Sequence, residues 1–339
     1  MAYIELNKQN YFHNLTLLSE KLESKEKLAV VLKDNAYGHG LLEMAKLASE
    51  FGISKAIVKS HSEAIMIKAY FPFIMILTPD MREVTTEFSL VINALSTLSK
   101  APKGAKIHLK IDSGMHRNGI MISELEEAFI MIRDKGLILE GVMTHFRSAD
   151  ELSCELFWQM KVWEEIKKQS LLLVEKYAFE RPLFHSANSA ASLRIAVYDD
   201  DFARCGIASY GYDEFHNSFT ASNLKPVLRL WAEKISTRAV KKGERIGYGG
   251  VGEIYHDGNV STYDIGYGDG LLRYKGDGDL KTGEGLKIIG RVSMDNISVE
   301  GECKKLLIFA DAKSLAHYHD TISYDVLVKL SPALRRTVI

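Results

Sequence analysis

Lys33 is the first residue whose position suggests chemistry, because it ends an apolar run, "KLAVVLK" (27–33), and precedes Asn35 and Tyr37. Polar residues follow several other apolar runs in the same way. They are Lys110, Asp112, Arg117, His145, His185, Asn188, Ser189 and Arg204. Each alone has an ordinary explanation as a solvated or hydrogen-bonded side chain. If the ends of strands bring them together, they form a pocket with cations, imidazoles and an amine but few carboxylates.

That mixture of groups suits one kind of chemistry. A desolvated lysine with cationic neighbours can form a Schiff base with an aldehyde. The backbone N–H groups near Ser189 and at Gly206 and Ile207 would bind phosphate, if they lie at the ends of the last two strands of a barrel. An aldehyde, a phosphate and a lysine together indicate pyridoxal 5′-phosphate (PLP). No metal is expected, because the sequence has no HExxH motif and no Cys/His cluster.

Eight strand-like runs would position these residues. They are residues 27–33, 55–60, 73–79, 89–95, 106–112, 139–145, 182–188 and 202–211. Amphipathic helical stretches such as "GLLEMAKLASEFG" separate several of them. Strands that alternate with helices form parallel βαβ units. Eight such units predict an α/β fold, a closed (β/α)₈ barrel over residues 5–220.

The sequence changes in character after about residue 220. Segments of β-forming residues alternate there with turn signals such as "HDGN", "GDGD" and "KTGEG". Residues 221–339 are therefore predicted to form a mostly β carboxyl-terminal domain, with residues 1–4 as a candidate addition to it.

The composition argues against several classes of protein. The formal net charge is −1 over 339 residues, so no overall positive charge favours nucleic acid. Cys154, Cys205 and Cys303 fit neither a disulfide framework nor a CxxC site, and they indicate reduced thiols. The amino-terminal segment lacks the apolar core of a signal peptide, and no apolar run approaches the roughly 20 residues that span a membrane. We expect a cytoplasmic protein without a membrane or nucleic-acid partner.

Eight segments resemble motifs of the bacterial alanine racemases, in that family's order. The first, "VVLKDNAYGHG", is similar to the family's cofactor-lysine signature. The others are "KIDSGMHRNGI", "MTHFRSADE", "FHSANSAASL", "ARCGIASYG", "GERIGYGG", "IGYGDGLLR" and "GRVSMDN". The resemblance covers nearly the whole chain. It implies a PLP-bearing barrel of fold-type III, a head-to-tail homodimer with shared active sites, and interconversion of L- and D-alanine for the cell wall.

The resemblance also implies a role for each matching residue. Lys33 would hold PLP and act as one of two catalytic bases. Tyr248 in "IGYGG", delivered from the partner subunit, would be the second base. Tyr267 in "IGYGDG" is assigned to the substrate entrance instead, because the family's catalytic tyrosine lies in the earlier motif.

The remaining implied roles concern the cofactor, the substrate and the entrance. The phosphate of the cofactor would be bound by Tyr37, Ser189, Gly206 and Ile207. Arg204 would bind the pyridine nitrogen, and His185 would support Arg204. Asn188 would lie close to the cofactor, and His145 would orient Tyr248. The substrate carboxylate would contact Arg117 and the backbone of Met294. The entrance would be lined by Asp150, Tyr267, Arg273 and Arg291. Lys110 matches a position that is carbamylated in some family members.

These roles have physical reasons. Two bases on opposite faces can remove and return a proton without turning the substrate. An arginine hydrogen-bonds the pyridine nitrogen without protonating it, which weakens the electron sink and disfavours transamination. The departures from the family pattern are His116 beside Arg117, Gly268 in place of alanine, and Pro332 where a tyrosine usually contacts the phosphate.

Other functions remain open at this point. A broad-specificity or serine racemase would carry the same motifs. A decarboxylase of this fold favours an acidic partner for the pyridine nitrogen, and Arg204 argues against it. A non-catalytic PLP-binding protein built on the barrel alone would not need the β domain that carries Tyr248.

Overall fold

The computed structural model describes residues 1–83 and 85–339 and divides the chain into two compact units. One unit comprises residues 12–36 and 44–225, and the other comprises residues 1–11, 37–43 and 226–339. The chain therefore passes between the units more than once. No helix among the described residues is both long and apolar enough to cross a membrane.

The described residues of the first unit form one sheet of parallel strands. Within residues 1–83 and 85–339, its eight strands are Leu28–Val31, Lys55–Val58, Phe73–Ile76, Ser89–Ile92, Lys106–Lys110, Ile138–Met143, Leu183–His185 and Ala203–Cys205. We number them in this order as barrel strands one to eight. Strand one pairs in parallel with strand two, through Val30 and Ala56, and with strand eight, through Ala29 and Arg204.

Strands seven and eight close the sheet almost completely. The backbone N–H of Asp201 donates to the carbonyl of Phe184 at 2.9 Å, and that of Arg204 donates to the carbonyl of Ala187 at 3.0 Å. A nearly closed barrel of eight parallel strands results, as the alternation of strands and helices predicts. The predicted (β/α)₈ architecture is confirmed.

The strands form because short apolar runs are buried on both faces, which is typical of parallel sheets. Helices alternate with them along the chain. These helices are Lys8–Lys21, Leu41–Phe51, His61–Ile67, Leu95–Leu98, Leu125–Asp134, Glu155–Lys176 and Ser189–Arg194. Ser60 caps one of them, because its Oγ accepts the backbone N–H of Glu63 at 3.4 Å. Single turns of 3₁₀-helix lie at Lys25–Lys27, Ile122–Glu124 and Ile207–Tyr210.

The second unit is mostly β, as its turn-rich sequence predicts. Its strands are Tyr3–Leu6, Leu228–Val240, Arg245–Ile246, Gly252–Glu253, Gly258–Tyr263, Ile288–Ile289, Ile297–Glu300, Lys305–Phe309 and Arg335–Val338. The long strand Leu228–Val240 pairs antiparallel with Tyr3–Leu6, Gly258–Tyr263 and Lys305–Phe309. The amino-terminal strand also pairs in parallel with Arg335–Val338. The helices Ala312–Tyr318 and Ser323–Val328 and the 3₁₀ turns Tyr248–Gly250 and Tyr267–Asp269 complete the unit.

Candidate active site

Lys33 follows barrel strand one and begins a turn of left-handed backbone. Asp34, Asn35, Ala36 and Tyr37 have φ angles between 52° and 55°. Residues other than glycine rarely adopt such angles, at a cost of about 1–2 kcal/mol each. Strain of this kind clusters at active sites and ligand-binding sites. The turn explains why the strand ends at Val31, two residues before the end of the predicted run.

Glu63, on the helix after strand two, restrains this turn. Its Oε1 accepts the backbone N–H of Asp34 at 2.7 Å, and its Oε2 accepts that of Lys59 at 2.8 Å. The ammonium of Lys59 donates to the Asp34 carboxylate at 3.1 Å, and Nζ of Lys33 lies 3.8 Å from the same carboxylate. The Lys33 side chain remains 36% exposed, so it stays accessible to a ligand.

Tyr37 belongs to the mostly β unit and is buried there. Its ring centroid lies 5.7 Å from that of Tyr324, and the next residue, Gly38, accepts a hydrogen bond from Nη2 of Arg336 at 2.8 Å. The family resemblance directs attention to Pro332, where a tyrosine usually contacts the phosphate. The fold instead brings Tyr324 to Tyr37.

Four cations from the carboxyl-end region of the barrel strands act electrostatically on one imidazole. Burial, and then the positive charges of Arg204, Lys110, Arg117 and Lys33, lower the pKa of His145 from 6.5 to about 3. His145 is therefore neutral at physiological pH. These residues come from the ends of strands one, five, six and eight, so the barrel collects them around one space.

Lys110 is buried at the end of strand five. Burial, and then the charges of Arg204 and Arg117, lower the pKa of its amine from 10.5 to about 8. Asp112 is the acid that opposes this effect. Because positive groups outnumber carboxylates here, the site suits an anionic ligand.

Asp112 is itself held by the loop that follows it. Burial alone would raise the pKa of its carboxyl, but the backbone N–H groups of Gly114 and His116 donate to Oδ1 at 2.9 and 3.1 Å and hold the pKa below its usual value. His116 is exposed, has a φ of 53° and places Nδ1 3.3 Å from Oδ2 of Asp112. This residue therefore completes the loop beside Arg117.

Arg204 uses most of its donors within the barrel. Nη1 donates to Nδ1 of His185 at 2.7 Å and to its carbonyl at 2.9 Å. Nη2 donates to the carbonyls of Thr144 at 2.6 Å and Ser186 at 2.9 Å. Burial lowers the pKa of Arg204 to about 10, so it remains a cation at neutral pH. Across residues 1–83 and 85–339, the Nε–H of Arg204 has no protein acceptor, so it is the donor left for a ligand.

Ser189, Gly206 and Ile207 meet where strands seven and eight end. Oγ of Ser189 accepts the backbone N–H groups of Gly206 at 3.0 Å and Ala208 at 3.2 Å. The Ser189 hydroxyl keeps its own proton, which it can donate to an anion. The arrangement places a hydroxyl and a tight turn of backbone at the two strand ends.

Asn188 is used locally. Its Oδ1 accepts the backbone N–H of Ala191 at 2.9 Å and so caps the helix Ser189–Arg194. Its Nδ2 donates to the carbonyl of Phe146, beyond strand six, at 3.2 Å. The side chain thus positions Ser189 through the backbone.

The two candidate tyrosines lie on turns of the mostly β unit. Tyr248 follows Gly247, whose φ is 76°, and its side chain is 70% exposed. Tyr267 is 41% exposed, and the guanidinium of Arg273 lies 5.9 Å from its ring centroid. The turn after Tyr248 is close to Arg291, whose Nη1 would be 3.5 Å from a Cβ at Gly249.

The remaining candidates are Met294 and Asp150, in different units. The carbonyl of Met294 accepts the backbone N–H of Gly268 at 2.8 Å. A Cβ at position 268 would lie 3.1 Å from that oxygen, which is tighter than most Cβ contacts. Asp150 lies beyond strand six, where its carbonyl accepts the backbone N–H of His216 at 3.0 Å.

His108 and Glu140 are polar residues of the barrel interior that the motif reading passed over. His108 is fully buried, its Nδ1 lies 2.8 Å from Nε2 of His185, and its Nε2 lies 3.1 Å from Oε2 of Glu140. A signal was present in "KIHLKID", because His108 and Lys110 alternate along one strand and so share a face.

The fold and the site define the class of protein: a barrel enzyme with a lysine and a group of cations at its carboxyl end, joined to a β-rich unit. Two family models match the chain. The amino-terminal domain of alanine racemase matches residues 6–214, and its carboxyl-terminal domain matches residues 227–338. The chain belongs to the alanine racemase family, as its motifs predict.

Known alanine racemases are similar to this chain over nearly its full length. Alanine racemase from a Nitratiruptor species is 50% identical, and that from Campylobacter curvus is 48% identical, each over 99% of both chains. The crystal structure of alanine racemase from Bacillus anthracis with bound L-Ala-P is 28% identical. It has a TM-score of 0.89 and covers 100% of this chain and 95% of its own.

Proposed function

We propose that this protein interconverts L- and D-alanine with PLP as its cofactor. The observation that carries the proposal is the group of four cations around His145, because it includes an accessible amine and a buried guanidinium with one remaining N–H. Such a donor set suits a phosphorylated cofactor with an aldehyde and a ring nitrogen. When bound, PLP supplies an electron-withdrawing ring that makes the Cα–H of an attached amino acid acidic.

Several of the predicted residues would hold the cofactor. Lys33 would hold its aldehyde carbon, and the Nε–H of Arg204 would donate to the ring nitrogen. Tyr37, the Ser189 hydroxyl and the backbone of Gly206 and Ile207 would bind the phosphate, with the Gly206 N–H shared between the phosphate and Oγ of Ser189. Because Arg204 stays protonated at neutral pH, it would donate a hydrogen bond to the ring nitrogen without protonating it.

Two bases would move the proton at the Cα atom of alanine. Lys33 serves one face, and Tyr248 of the partner subunit serves the other. Tyr248 is largely exposed in a single chain, which is consistent with a role that a second chain completes. His145, being neutral, can accept a hydrogen bond from the phenol and orient it.

The substrate carboxylate would bind to Arg117 and to the backbone of Met294. Asp150, Tyr267, Arg273 and Arg291 would line the entrance. Lys110 would be carbamylated, which places an anion next to Arg117 and Arg204. We expect a cytoplasmic homodimer whose D-alanine product serves the cell wall.

The proposal is tested by incubating the holoenzyme with L-alanine in deuterium oxide. Both D-alanine formation and exchange of the Cα proton are followed. Lys33→Ala should abolish both, together with the visible absorbance of the bound cofactor. Tyr248→Phe should keep the absorbance but slow racemisation by about 10²–10⁴-fold, the usual contribution of a general acid–base group. Tyr267→Phe is the matched control and should change mainly KM.

Three results would contradict the proposal. Lys33→Ala with intact activity would remove the lysine from the mechanism. Loss of exchange in Tyr267→Phe but not in Tyr248→Phe would exchange the roles of the tyrosines. Full specific activity after dilution to monomers, measured by sedimentation, would exclude a shared active site.

A further inference from the structure

A chain of hydrogen-bonded side chains, buried except for the partly exposed Glu140, runs from Arg204 through the interior of the barrel. Nη1 of Arg204 contacts Nδ1 of His185, and Nε2 of His185 lies 2.8 Å from Nδ1 of His108. Nε2 of His108 lies 3.1 Å from Oε2 of Glu140, which also accepts the hydroxyl of Ser89. The groups come from strands eight, seven, five, six and four in turn.

The two ends of this chain determine where its protons lie. Arginine has no acceptor, so Nδ1 of His185 must accept and the proton of that ring is on Nε2. An ionised carboxylate has no donor, so Nε2 of His108 must donate to Glu140 and its Nδ1 must accept. Burial would raise the pKa of Glu140, but the hydrogen bond from His108 holds it below its usual value. The two ends therefore require that each imidazole carries one proton, on Nε2. Every hydrogen bond in the chain is then donated in the direction from Arg204 to Glu140.

The surroundings of the imidazoles fit this assignment. His185 stacks on Phe202 with centroids 4.2 Å apart, and Phe73 meets His108 edge-on at 5.7 Å. Burial, and then the charge of Arg204, lower the pKa of His185 well below 6.5. His185 is therefore neutral at physiological pH.

Gly141, opposite His108 on strand six, provides independent support. A Cβ at this position would lie 2.1 Å from Nδ1 of His108 and 2.5 Å from its Cε1. The pairing of strands five and six also shifts register between Ile107 and His108. Backbone and sequence are thus adapted to seat this imidazole against strand six.

We propose that His108 and Glu140 are positioning residues that fix the tautomer of His185 and thereby hold Arg204 with its Nε–H available to the ligand. The proposal rests on the proposed function in one respect: the ligand acceptor is taken to be the cofactor's ring nitrogen. If His185 carried its proton on Nδ1 instead, that N–H would oppose the Nη1–H of Arg204. The guanidinium would then lose its buried partner and move.

Two amide substitutions of His108 distinguish its hydrogen bond with His185 from its hydrogen bond with Glu140. His108→Asn places an amide oxygen where Nδ1 lies and so keeps the acceptor for His185. His108→Gln places an amide near Glu140 but no acceptor at the position of Nδ1, so the acceptor for His185 is lost. Holoenzyme labelled with ¹⁵N-histidine reports the tautomer of His185 by NMR, with a His185→Asn variant for assignment. Racemisation kinetics and thermal unfolding are measured on the same samples.

We expect His108→Asn to keep the His185 tautomer, with kcat within about threefold of wild type. His108→Gln should shift His185 toward the Nδ1–H form and lower kcat about tenfold or more, because an unpaired buried donor is costly. The KM for alanine should stay within about twofold, since Arg204 does not bind the substrate carboxylate. Glu140→Leu should reproduce the shift, because His108 is then free to present Nδ1–H to His185. Ser89→Ala, which keeps the carboxylate, should not.

Two results would overturn the proposal. One is an unchanged His185 tautomer in both His108→Gln and Glu140→Leu. The other is an equal fall in kcat and melting temperature in His108→Asn and His108→Gln, which would indicate a general loss of stability. If wild-type protein fails to racemise alanine while the tautomer shifts as expected, the proposed function fails and the positioning role stands.

Discussion

Glu63 accepts the backbone N–H of Asp34 at 2.7 Å, so a carboxylate from the helix after strand two restrains the turn that carries Lys33. The same carboxylate accepts the backbone N–H of Lys59. Left-handed backbone at four successive residues persists only where surrounding contacts compensate for it. Glu63 supplies two of those contacts within the barrel unit.

Glu63→Ala should therefore lower both stability and activity. Two backbone donors lose their acceptor, which costs about 1–3 kcal/mol for each donor that stays buried. Because the Lys59 donor is exposed, we expect the free energy of unfolding in urea to fall by about 1–3 kcal/mol, and racemisation to slow about tenfold as Lys33 loses its fixed position. Glu124→Ala is the matched control, because Glu124 also accepts a backbone N–H, from Met121 at 2.7 Å, but far along the chain from Lys33. Equal effects of the two variants on activity would exclude a special role for Glu63.

Alanine substitutions at Gly38 and Gly104 distinguish the cost of steric crowding from the cost of a left-handed backbone conformation. Their φ angles are 80° and 78°, but a Cβ at Gly38 would lie 2.0 Å from the carbonyl oxygen of Leu327, whereas a Cβ at Gly104 would have no neighbour within 4 Å. Gly104→Ala should cost about 1–2 kcal/mol for its left-handed conformation. Gly38→Ala should cost at least about 3 kcal/mol more, since backbone must move. Urea unfolding measures both, and equal losses would contradict the steric argument.

The pKa of His145 predicts a pH dependence of stability. Because the folded-state pKa is about 3 and the ordinary value is 6.5, the unfolded state alone binds this proton between those values. The free energy of unfolding should therefore fall as the pH drops from 6.5 toward 3, by at most about 1.4 kcal/mol per pH unit and by less where solvent screens the half-buried ring. His145→Gln removes this contribution, so its stability should depend less on pH. Urea unfolding between about pH 7 and pH 5 tests this, and parallel curves for the two proteins would refute it.

Carbamylation of Lys110 makes a spectroscopic prediction. An amine with a pKa of about 8 is partly neutral at pH 7, so its nitrogen can attack carbon dioxide and release one proton to solvent as the N–C bond forms. With ¹³C-labelled carbon dioxide, holoenzyme should give a carbamate NMR signal that Lys110→Met abolishes. Lys106→Met, at the other end of strand five, should leave the signal unchanged. Absence of the signal in wild-type protein would contradict carbamylation. The positive charges of Arg117 and Arg204 would then have to be balanced by another acid.

Much of the barrel is predictable because buried parallel strands are short, apolar and separated by helical periodicity. The exact ends of the strands are harder to predict from the sequence. The run at 202–211 reads as one strand, yet the strand covers Ala203–Cys205 and gives way to the 3₁₀ turn Ile207–Tyr210. Residues of that turn are as buried as those of the strand, and burial rather than strand geometry explains their apolar character.

The residues of the candidate site are also predictable only in part. Polar residues directly after apolar runs, such as Lys33 and Arg204, can be recognised because strand ends in a barrel converge. Glu63 cannot, since its role depends on a left-handed turn that no propensity favours. Tyr324 lies close to Tyr37 through the packing of segments nearly three hundred residues apart, for which the sequence has no local pattern.

The passage of the chain between its two units, at Ala36 and Tyr37, has a consequence for dissection of the protein. Lys33 folds with the barrel, but four residues later Tyr37 and Gly38 are secured by Tyr324 and Arg336 of the other unit. A fragment that stops at residue 225 would keep Lys33 and lose the partners of the segment that follows it. The turn that begins at Lys33 is thus secured at both of its ends only in the uncut polypeptide.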